Sequence, residues 1–155
     1  AACAIELGVD LSLIKQGLEK TTTEKGRLQL LESDRFTILD DSYNANPHSM
    51  KAAIDTLQSF SGEKIAVLGS MAELGANSRE LHQEIGEYAN QAGLDKLYTI
   101  GEHSKHYNGE LFPDIESLYI QLNECHSGAT ILIKGSRMMN LDELVEILLK
   151  TSISS

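Results

Sequence analysis

Residues 64–69 read Lys-Ile-Ala-Val-Leu-Gly, an almost continuously apolar run that ends in glycine. Such a run is typical of a parallel strand whose two faces are both covered, so we expect a strand near the centre of a sheet. Residues 97–101 and 129–133 have the same character and predict two more strands. Helical patterns alternate with these runs. The sequence therefore predicts an α/β fold, a Rossmann-like three-layer domain with a mostly parallel sheet.

The segment before this core predicts a β-hairpin at the amino-terminal edge of the sheet. Residues 27–31 and 36–39 are strand-like, and Glu32, Ser33 and Asp34 between them are typical turn residues. Residues 1–24, which precede the hairpin, predict two short helices.

Two helices are predicted from capping residues that stand directly before apolar stripes. Asn46 and Pro47 start one, because the Asn side chain can accept from unpaired amides and proline loses no hydrogen bond at the first helical position. Another begins near Asp114. Residues 102–112, between two predicted strands, are compatible with a short helix, a short strand or neither.

Two more helix starts resemble capping boxes, which pair Asn77 with Glu80 and Asn140 with Glu143. The helix after Asn77 should turn its apolar side chains inward, and Gly93 should end it. These inward side chains are Leu81, Ile85, Tyr88, Ala89 and Ala92.

The composition narrows the class of protein. The 155 residues include 13 Lys and Arg against 23 Asp and Glu, a formal charge of −10, which argues against a general nucleic-acid binder. Cys3 and Cys125 are too few for a disulfide framework, so we expect both to be reduced. Because no apolar run approaches the roughly 18 residues of a membrane span, we expect a cytoplasmic protein without a membrane span. We also expect a monomer, with which an acidic surface is compatible.

Candidate functional residues follow the predicted strands, because ligands of open α/β sheets bind beyond the carboxyl ends of the strands. Four such segments are residues 40–47, 69–75, 101–104 and 134–137. Neither the Gly-rich dinucleotide fingerprint nor a phosphate-binding P-loop occurs in the sequence. The five histidines lack metal-site spacing, so no metal site is predicted.

The segment 40–47 has a functional and a structural interpretation. Asp41 stands where a strand becomes a turn, so its carboxylate could accept hydrogen bonds from a ribose diol. Alternatively, Asp40 and Asp41 only organise the turn. Asn46 is most simply a helix cap, whereas Asn44 has no structural duty that its spacing explains.

The segment 134–137 is a candidate anion site. Lys134 and Arg137 are two cations in an acidic chain, and Ser136 adds a hydroxyl next to a flexible glycine. Arginine can hold a carboxylate or phosphate with two parallel hydrogen bonds. The alternative is that these residues only decorate a loop. Arg27, one cation near the hairpin, is a weaker candidate.

Residues 41–47 and 64–75 together resemble the carboxy-terminal domain of the Mur ligases. Residues 26–27, 78–82 and 133–137 agree with this resemblance, which spans nearly the whole chain. The Tyr-Asn-Ala-Asn and Met-x-Glu-Leu-Gly segments resemble the branch of the family that adds a D-alanyl-D-alanine dipeptide.

The resemblance implies an ATP-dependent ligase of peptidoglycan biosynthesis. Such a ligase activates the carboxylate of UDP-N-acetylmuramoyl-tripeptide as an acyl phosphate and couples it to D-alanyl-D-alanine. It implies Mg²⁺ for the phosphoryl step, held mainly by a central domain. Residues 1–24 would then be the end of that central ATPase domain and its linker helices, and residues 25–155 the carboxy-terminal domain. Because the chain begins without Met in a helix-forming stretch and lacks a P-loop, we expect a fragment that is inactive alone.

The resemblance also implies roles for single residues. Arg27 would reach the nucleotide phosphates, Asp41 would bind the ribose, and Asn44 and Asn46 would line the nucleotide. Ser70 departs from the family pattern, in which Asp is common. The implied dipeptide or acyl-phosphate residues are Lys134, Ser136 and Arg137.

Two other functions remain open from the sequence. One is another ligase of the Mur and folylpolyglutamate superfamily. The other is a free-standing Rossmann-like module that binds an anionic metabolite through residues 134–137.

Overall fold

A computed structural model describes residues 25–150, and within them one six-stranded sheet forms the middle layer. The strands lie in the order β1-β2-β6-β3-β4-β5. β1 runs antiparallel to β2, and all other neighbouring pairs are parallel, which confirms the predicted mostly parallel sheet with a hairpin at its edge. The strands are β1 Gln29–Glu32, β2 Phe36–Asp41, β3 Lys64–Gly69, β4 Lys96–Ile100, β5 Glu110–Phe112 and β6 Ala129–Lys134.

Four α-helices form the two outer layers of the described part. They are α1 Pro47–Gln58, α2 Ser78–Gln91, α3 Ile115–Asn123 and α4 Asp142–Lys150. α1 and α2 cover one face of the sheet, and α3 and α4 cover the other. None of the helices in residues 25–150 is long and apolar enough to cross a bilayer.

β3 is a central strand, as its apolar run predicts. It pairs with β6 on one side and with β4 on the other. Ile65 and Val67 pack toward α3 and α4, whereas Ala66 and Leu68 pack toward α1 and α2. All four side chains are fully buried. A strand that supplies both cores has no polar face, which explains why its sequence does not alternate.

The start of α1 is the one predicted from Asn46. The Asn46 side chain accepts from the Ser49 amide at 2.9 Å, and the Ser49 hydroxyl accepts from the Asn46 amide at 3.1 Å. This reciprocal capping box fixes the residue at which α1 begins. Asp114 likewise caps α3 by accepting from the Ser117 amide at 2.7 Å.

The two other predicted helices are present as α2 and α4, but the capping boxes predicted for their starts are wrong. Asn77 belongs to a short 3₁₀ turn, Gly75–Asn77, and its side chain makes no cap hydrogen bond. Asn140 has a left-handed backbone with φ 48°, and α4 begins two residues later. In both places a 3₁₀ turn precedes the helix, so the extended backbone that a capping residue needs is not present.

The five side chains in and directly after α2 that were predicted to face inward lie in the core or pack against it, and two further residues, His82 and Gly86, join them. His82 and Gly86 are buried with Ile85 and Ala89, whereas Leu81, Tyr88 and Ala92 are only partly buried. The backbone of Tyr107 packs against Gly86, where a Cβ would lie 2.2 Å from the Tyr107 carbonyl oxygen. Gly93 follows the helix end with φ 68°, as expected of a terminating glycine.

The open segment 102–112 contains both alternatives. Residues Glu102–Tyr107 form a 3₁₀ helix, and β5 follows as a short edge strand. Cys125 is a buried free thiol. Cys3 and the predicted helices of residues 1–24 lie outside the described residues, as do residues 151–155.

Candidate functional site

The loops after β2, β3 and β6 meet at the carboxyl edge of the sheet and form two adjoining clefts. The first, called the Asp41 cleft, has a volume of about 420 Å³ and lies among Arg27, Leu28, Asp41, Asn46 and Lys134. The second, called the Glu73 cleft, has a volume of about 580 Å³ and lies among Ala45, Glu73, Leu74, Ser136 and Arg137. Tyr43, Asn44 and Asn46 line both.

A buried ion pair forms the floor of the Asp41 cleft. Asp41 and Lys134 are register partners at the ends of β2 and β6, and Lys134 Nζ lies 2.6 Å from Asp41 Oδ2. Lys134 Nζ also donates to the Asn44 carbonyl oxygen at 2.8 Å. The Lys134 side chain is 2% exposed and that of Asp41 is 16% exposed. The Lys134 ammonium therefore contacts protein groups and is shielded from the cleft, whereas the Asp41 carboxylate remains partly accessible from it.

Asp41 keeps acceptor capacity for a ligand. Its Oδ1 accepts from the Leu28 amide at 2.9 Å, and its Oδ2 from Lys134. Because each carboxylate oxygen can accept about two hydrogen bonds, Asp41 can accept further ones from the cleft. Asp40, by contrast, is fully buried, and its Oδ1 accepts from the Ser42 amide and hydroxyl. Of the two acidic residues, Asp40 is the one that organises the turn.

Tyr43 lies between the two clefts and contacts an arginine from each. The Arg27 guanidinium carbon lies 4.7 Å from the Tyr43 ring centroid, and that of Arg137 lies 5.4 Å from it. Both distances are within the range of a cation–π contact. Arg27 and Arg137, which are 110 positions apart in the numbering, are thereby held at one aromatic ring.

The two asparagines both have structural duties at the cleft wall. Asn46 caps α1, as described above. The Asn44 side-chain oxygen accepts from the Ala45 amide at 2.8 Å, and its carbonyl oxygen accepts from Lys134. Asn44 thus has a structural role that its spacing did not explain: it stabilises its own turn and accepts a hydrogen bond from the buried lysine.

The Glu73 cleft holds Ser136 and Arg137 but not Lys134, so the three residues predicted as one anion site are divided between two clefts. Ser136 is buried and its amide donates to the Ser70 carbonyl oxygen at 3.0 Å, whereas Arg137 is exposed. Glu73 lies in the loop after β3 with φ 59°, a left-handed backbone that is uncommon for a non-glycine residue. A conformation of this kind costs backbone energy that the surrounding loop must offset.

A family model described as Mur ligase, glutamate ligase domain, matches residues 26–137. The chain belongs to the Mur ligase family. The match confirms the resemblance that residues 41–47 and 64–75 suggested.

Eight curated relatives of this Mur ligase chain, 29–39% identical to it, carry the same enzyme name. The chain is 39% identical to a UDP-N-acetylmuramoyl-tripeptide–D-alanyl-D-alanine ligase from Escherichia coli, with 96% of this chain and 35% of the relative covered. Among solved structures, MurF from Acinetobacter baumannii matches with a TM-score of 0.84 at 31% identity, covering 96% of this chain and 35% of that one. MurF from Thermotoga maritima in complex with ADP matches with a TM-score of 0.84 at 29% identity, covering 96% and 36%. The chain thus spans about a third of the length of the proteins it resembles.

His82 is a structural residue of this Mur ligase domain whose role the sequence did not reveal. Its Nε2 accepts from the Met71 amide at 3.0 Å, and its Nδ1 lies 2.6 Å from the Ser78 carbonyl oxygen, to which it donates. Burial lowers the pKa of His82 below its ordinary value of 6.5. The neutral ring thereby ties the loop after β3 to the start of α2.

Ser70 is a second organiser of the loops. Its hydroxyl accepts from the His103 amide at 3.1 Å, and its carbonyl oxygen accepts from Ser136. A hydroxyl thus supplies the acceptor at the position where Asp is common in the family. Only the loop connections, and nothing in the local spacing, could have identified this duty.

No group of three or more His, Cys, Asp or Glu side chains that could hold a metal ion occurs in residues 25–150. His103 and His106, which are three positions apart in the sequence, lie on the 3₁₀ helix after β4. The ring centroids of His103 and His82 are 5.7 Å apart. Both nitrogens of His82 already have partners, so this pair does not form a metal site.

Proposed function

We propose that this chain is the carboxy-terminal domain of an ATP-dependent ligase that joins D-alanyl-D-alanine to UDP-N-acetylmuramoyl-tripeptide in peptidoglycan biosynthesis. The observation that carries the proposal is the pair of adjoining clefts at the carboxyl edge of a Mur ligase domain. One cleft offers a carboxylate beside an arginine, and the other offers a hydroxyl and an arginine. The name of the Escherichia coli relative states this reaction.

The Asp41 cleft is the proposed nucleotide site. Its volume of about 420 Å³ falls within the usual range of small-molecule sites. Asp41 would accept from a ribose hydroxyl, Arg27 would contact the phosphates, and Asn44 and Asn46 would line the nucleotide. The Thermotoga maritima relative was solved in complex with ADP, which supports a nucleotide as a ligand of the enzyme that carries this domain. Lys134 would act through Asp41, since its ammonium already fixes that carboxylate.

The Glu73 cleft is the proposed acceptor side of the same reaction centre. Ser136 and Arg137 would hold the dipeptide carboxylate or steady the acyl phosphate through charge-assisted hydrogen bonds. Mg²⁺ would neutralise phosphate charge during the phosphoryl step. Residues 25–150 offer no cluster of three ligands for that ion, so its ligands would come from elsewhere in the enzyme.

Closure of this domain over the rest of the enzyme explains why the two clefts are open. Each is one wall of a site, and the opposite wall would exclude water that hydrolyses an acyl phosphate. Because the sequence has no P-loop, we expect the 155-residue chain alone to show neither ATPase nor ligase activity.

Steady-state kinetics of the full-length enzyme that carries these residues tests the proposal. Arg27→Ala and Asp41→Asn should raise the KM for ATP roughly tenfold, since each removes a hydrogen bond to a charged group. Arg137→Ala should instead raise the KM for D-alanyl-D-alanine. A full-length enzyme without dipeptide-dependent ADP release would contradict the proposal, as would ADP release from the isolated chain.

A further inference from the structure

The Glu73 cleft carries two opposite charges that do not pair with each other. Glu73 comes from the loop after β3 and Arg137 from the loop after β6, and both line the cleft. Neither side chain has a salt bridge within residues 25–150, and Glu73 makes no side-chain hydrogen bond there. Because no salt bridge joins them, both charges remain available to a ligand that carries both charges itself.

The rest of the cleft is partly apolar and partly polar. Ala45, Ala72, Leu74 and Met138 contribute apolar surface to its lining, and Tyr43, Asn44, Asn46 and Ser136 contribute polar groups. The short apolar side chains leave room for methyl groups, and the amide and hydroxyl groups can pair with a peptide group. The cleft thus combines a cation, an anion, apolar surface and hydrogen-bonding groups, which suits a small free dipeptide with ammonium and carboxylate ends.

The backbone of Glu73 gives a reason to assign it a binding role. Among the described residues, the positive-φ non-glycine residues are Leu28, Glu73, Asn108 and Asn140. Asparagine tolerates this conformation, whereas Leu28 and Glu73 do not gain from it, and these two line the two clefts. Backbone conformations of this kind persist where the surrounding structure holds a residue for function.

We propose that Glu73 binds the ammonium group of the acceptor dipeptide while Arg137 binds its carboxylate, so that the Glu73 cleft selects a free zwitterionic dipeptide. The assignment rests on the proposed ligase function. The assignment adds Glu73 to that function as a specificity residue, because Glu73 would bind the ammonium end of the acceptor and Arg137 the carboxylate end. Arg137 is held in place for this by the Tyr43 ring, at 5.4 Å from its centroid.

The test compares Glu73→Gln with wild type in the full-length ligase. The variant keeps the shape of the side chain and loses its charge, so the KM for D-alanyl-D-alanine should rise about tenfold. The KM values for ATP and for the tripeptide substrate should not change. Glu73→Asp, which keeps the charge, should restore most of the affinity.

Two controls separate contact from general effects. Glu116→Gln removes an exposed carboxylate on α3 that lines neither cleft, and it should leave the dipeptide KM unchanged. N-acetyl-D-alanyl-D-alanine lacks the ammonium, so as an inhibitor it should bind wild type and Glu73→Gln equally.

The outcomes distinguish this assignment from the proposed function. Dipeptide-dependent ligation with the same dipeptide KM in wild type and Glu73→Gln overturns the role of Glu73 and leaves the ligase proposal standing. An equal rise in Glu116→Gln, or weaker binding of the N-acetyl dipeptide to Glu73→Gln, overturns it too, because either points to a long-range or structural effect. A wild-type enzyme without any dipeptide-dependent activity overturns both proposals.

Discussion

The Asp41 cleft and the Glu73 cleft share a wall, yet they hold their charges in opposite ways. In the Asp41 cleft, Lys134 is 2% exposed, and its ammonium contacts both Asp41 and the Asn44 carbonyl oxygen. In the Glu73 cleft, Glu73 and Arg137 are exposed and do not pair. The ammonium and the carboxylate of the first cleft are therefore already paired within the protein, whereas the charges of the second cleft are available to a ligand.

The difference follows from where the residues lie on the fold. Asp41 and Lys134 are the last residues of two hydrogen-bonded strands, so the sheet itself sets their distance. Glu73 and Arg137 lie in loops beyond the strands, where only a few contacts fix them. Residues at strand ends are held rigidly by the sheet. Residues in loops can change between relatives, and with them the specificity of the site, without disturbing the sheet.

The largest effect is expected from breaking the ion pair under the Asp41 cleft. Lys134→Met keeps the apolar stem of the side chain but leaves Asp41 and the Asn44 carbonyl oxygen without the ammonium. Removing one partner of a buried pair costs about 3 kcal/mol or more. Urea denaturation should show this loss in the free energy of unfolding.

Lys51→Met is a matched control for that substitution. Lys51 Nζ lies 2.6 Å from Glu84, the same distance as in the buried pair, but its side chain is 35% exposed and that of Glu84 is 51% exposed. An exposed pair contributes at most about 1 kcal/mol, so the control should lose much less stability. Equal losses in the two variants would mean that burial does not distinguish the two regions.

The second effect concerns His82, which holds the loop after β3 through the Met71 amide. His82→Phe keeps a ring of similar size but leaves the buried Met71 amide without its acceptor. An unsatisfied buried amide costs about 1–3 kcal/mol. The variant should therefore be less stable than wild type near pH 7.5, by about that amount.

The pH dependence of this difference has a definite sign. Because the pKa of His82 is lowered in the folded state, the unfolded chain binds its proton first as pH falls below 6.5. Wild type thus loses stability through the range from 6.5 down to the folded pKa, and His82→Phe lacks this contribution. His103 and His106 remain in both proteins, so the difference between the two curves isolates His82. A gap between the proteins that does not narrow near pH 5.5 would contradict the buried neutral imidazole.

The sequence predicted the fold well because apolar patterning determines it. The runs at residues 64–69 and 129–133 are buried from both faces, and such strands are continuous in sequence. The helix stripe of Met50, Ala53, Ile54 and Leu57 is equally local, and all four are buried. The helix starts near Asn46, Asn77, Asp114 and Asn140 were all predicted, but a capping hydrogen bond forms only at Asn46 and Asp114, where the backbone is extended.

The candidate site was predictable in position but not in connections. That Asp41 and Lys134 lie at one edge follows from parallel strands, yet their direct pairing depends on β2 and β6 being neighbours, which no local pattern contains. The buried role of His82 depends on a loop 11 residues away in the chain. The segment 69–75 was predicted to lie at the site, but the left-handed backbone of Glu73 and its place in one cleft with Arg137 are properties of the folded chain.

The smallest effect, and the one that tests whether the two clefts are one unit, concerns the aromatic wall between them. Tyr43 lines both clefts and lies within cation–π distance of Arg27 and Arg137. Double-mutant cycles of Tyr43→Ala with Arg27→Ala and with Arg137→Ala, read as free energies of unfolding, should each give a coupling of about 0.5–1 kcal/mol.

Tyr43→Phe keeps the ring face and is the control for those cycles. It should preserve both couplings, since the π-face and not the hydroxyl attracts the cation. If both couplings are present, the rigid Asp41 cleft positions the arginine of the adaptable Glu73 cleft through one ring. A coupling to Arg27 alone would instead make the two clefts independent, and Arg137 would then owe its position to the loop after β6 rather than to the wall it shares with the nucleotide side.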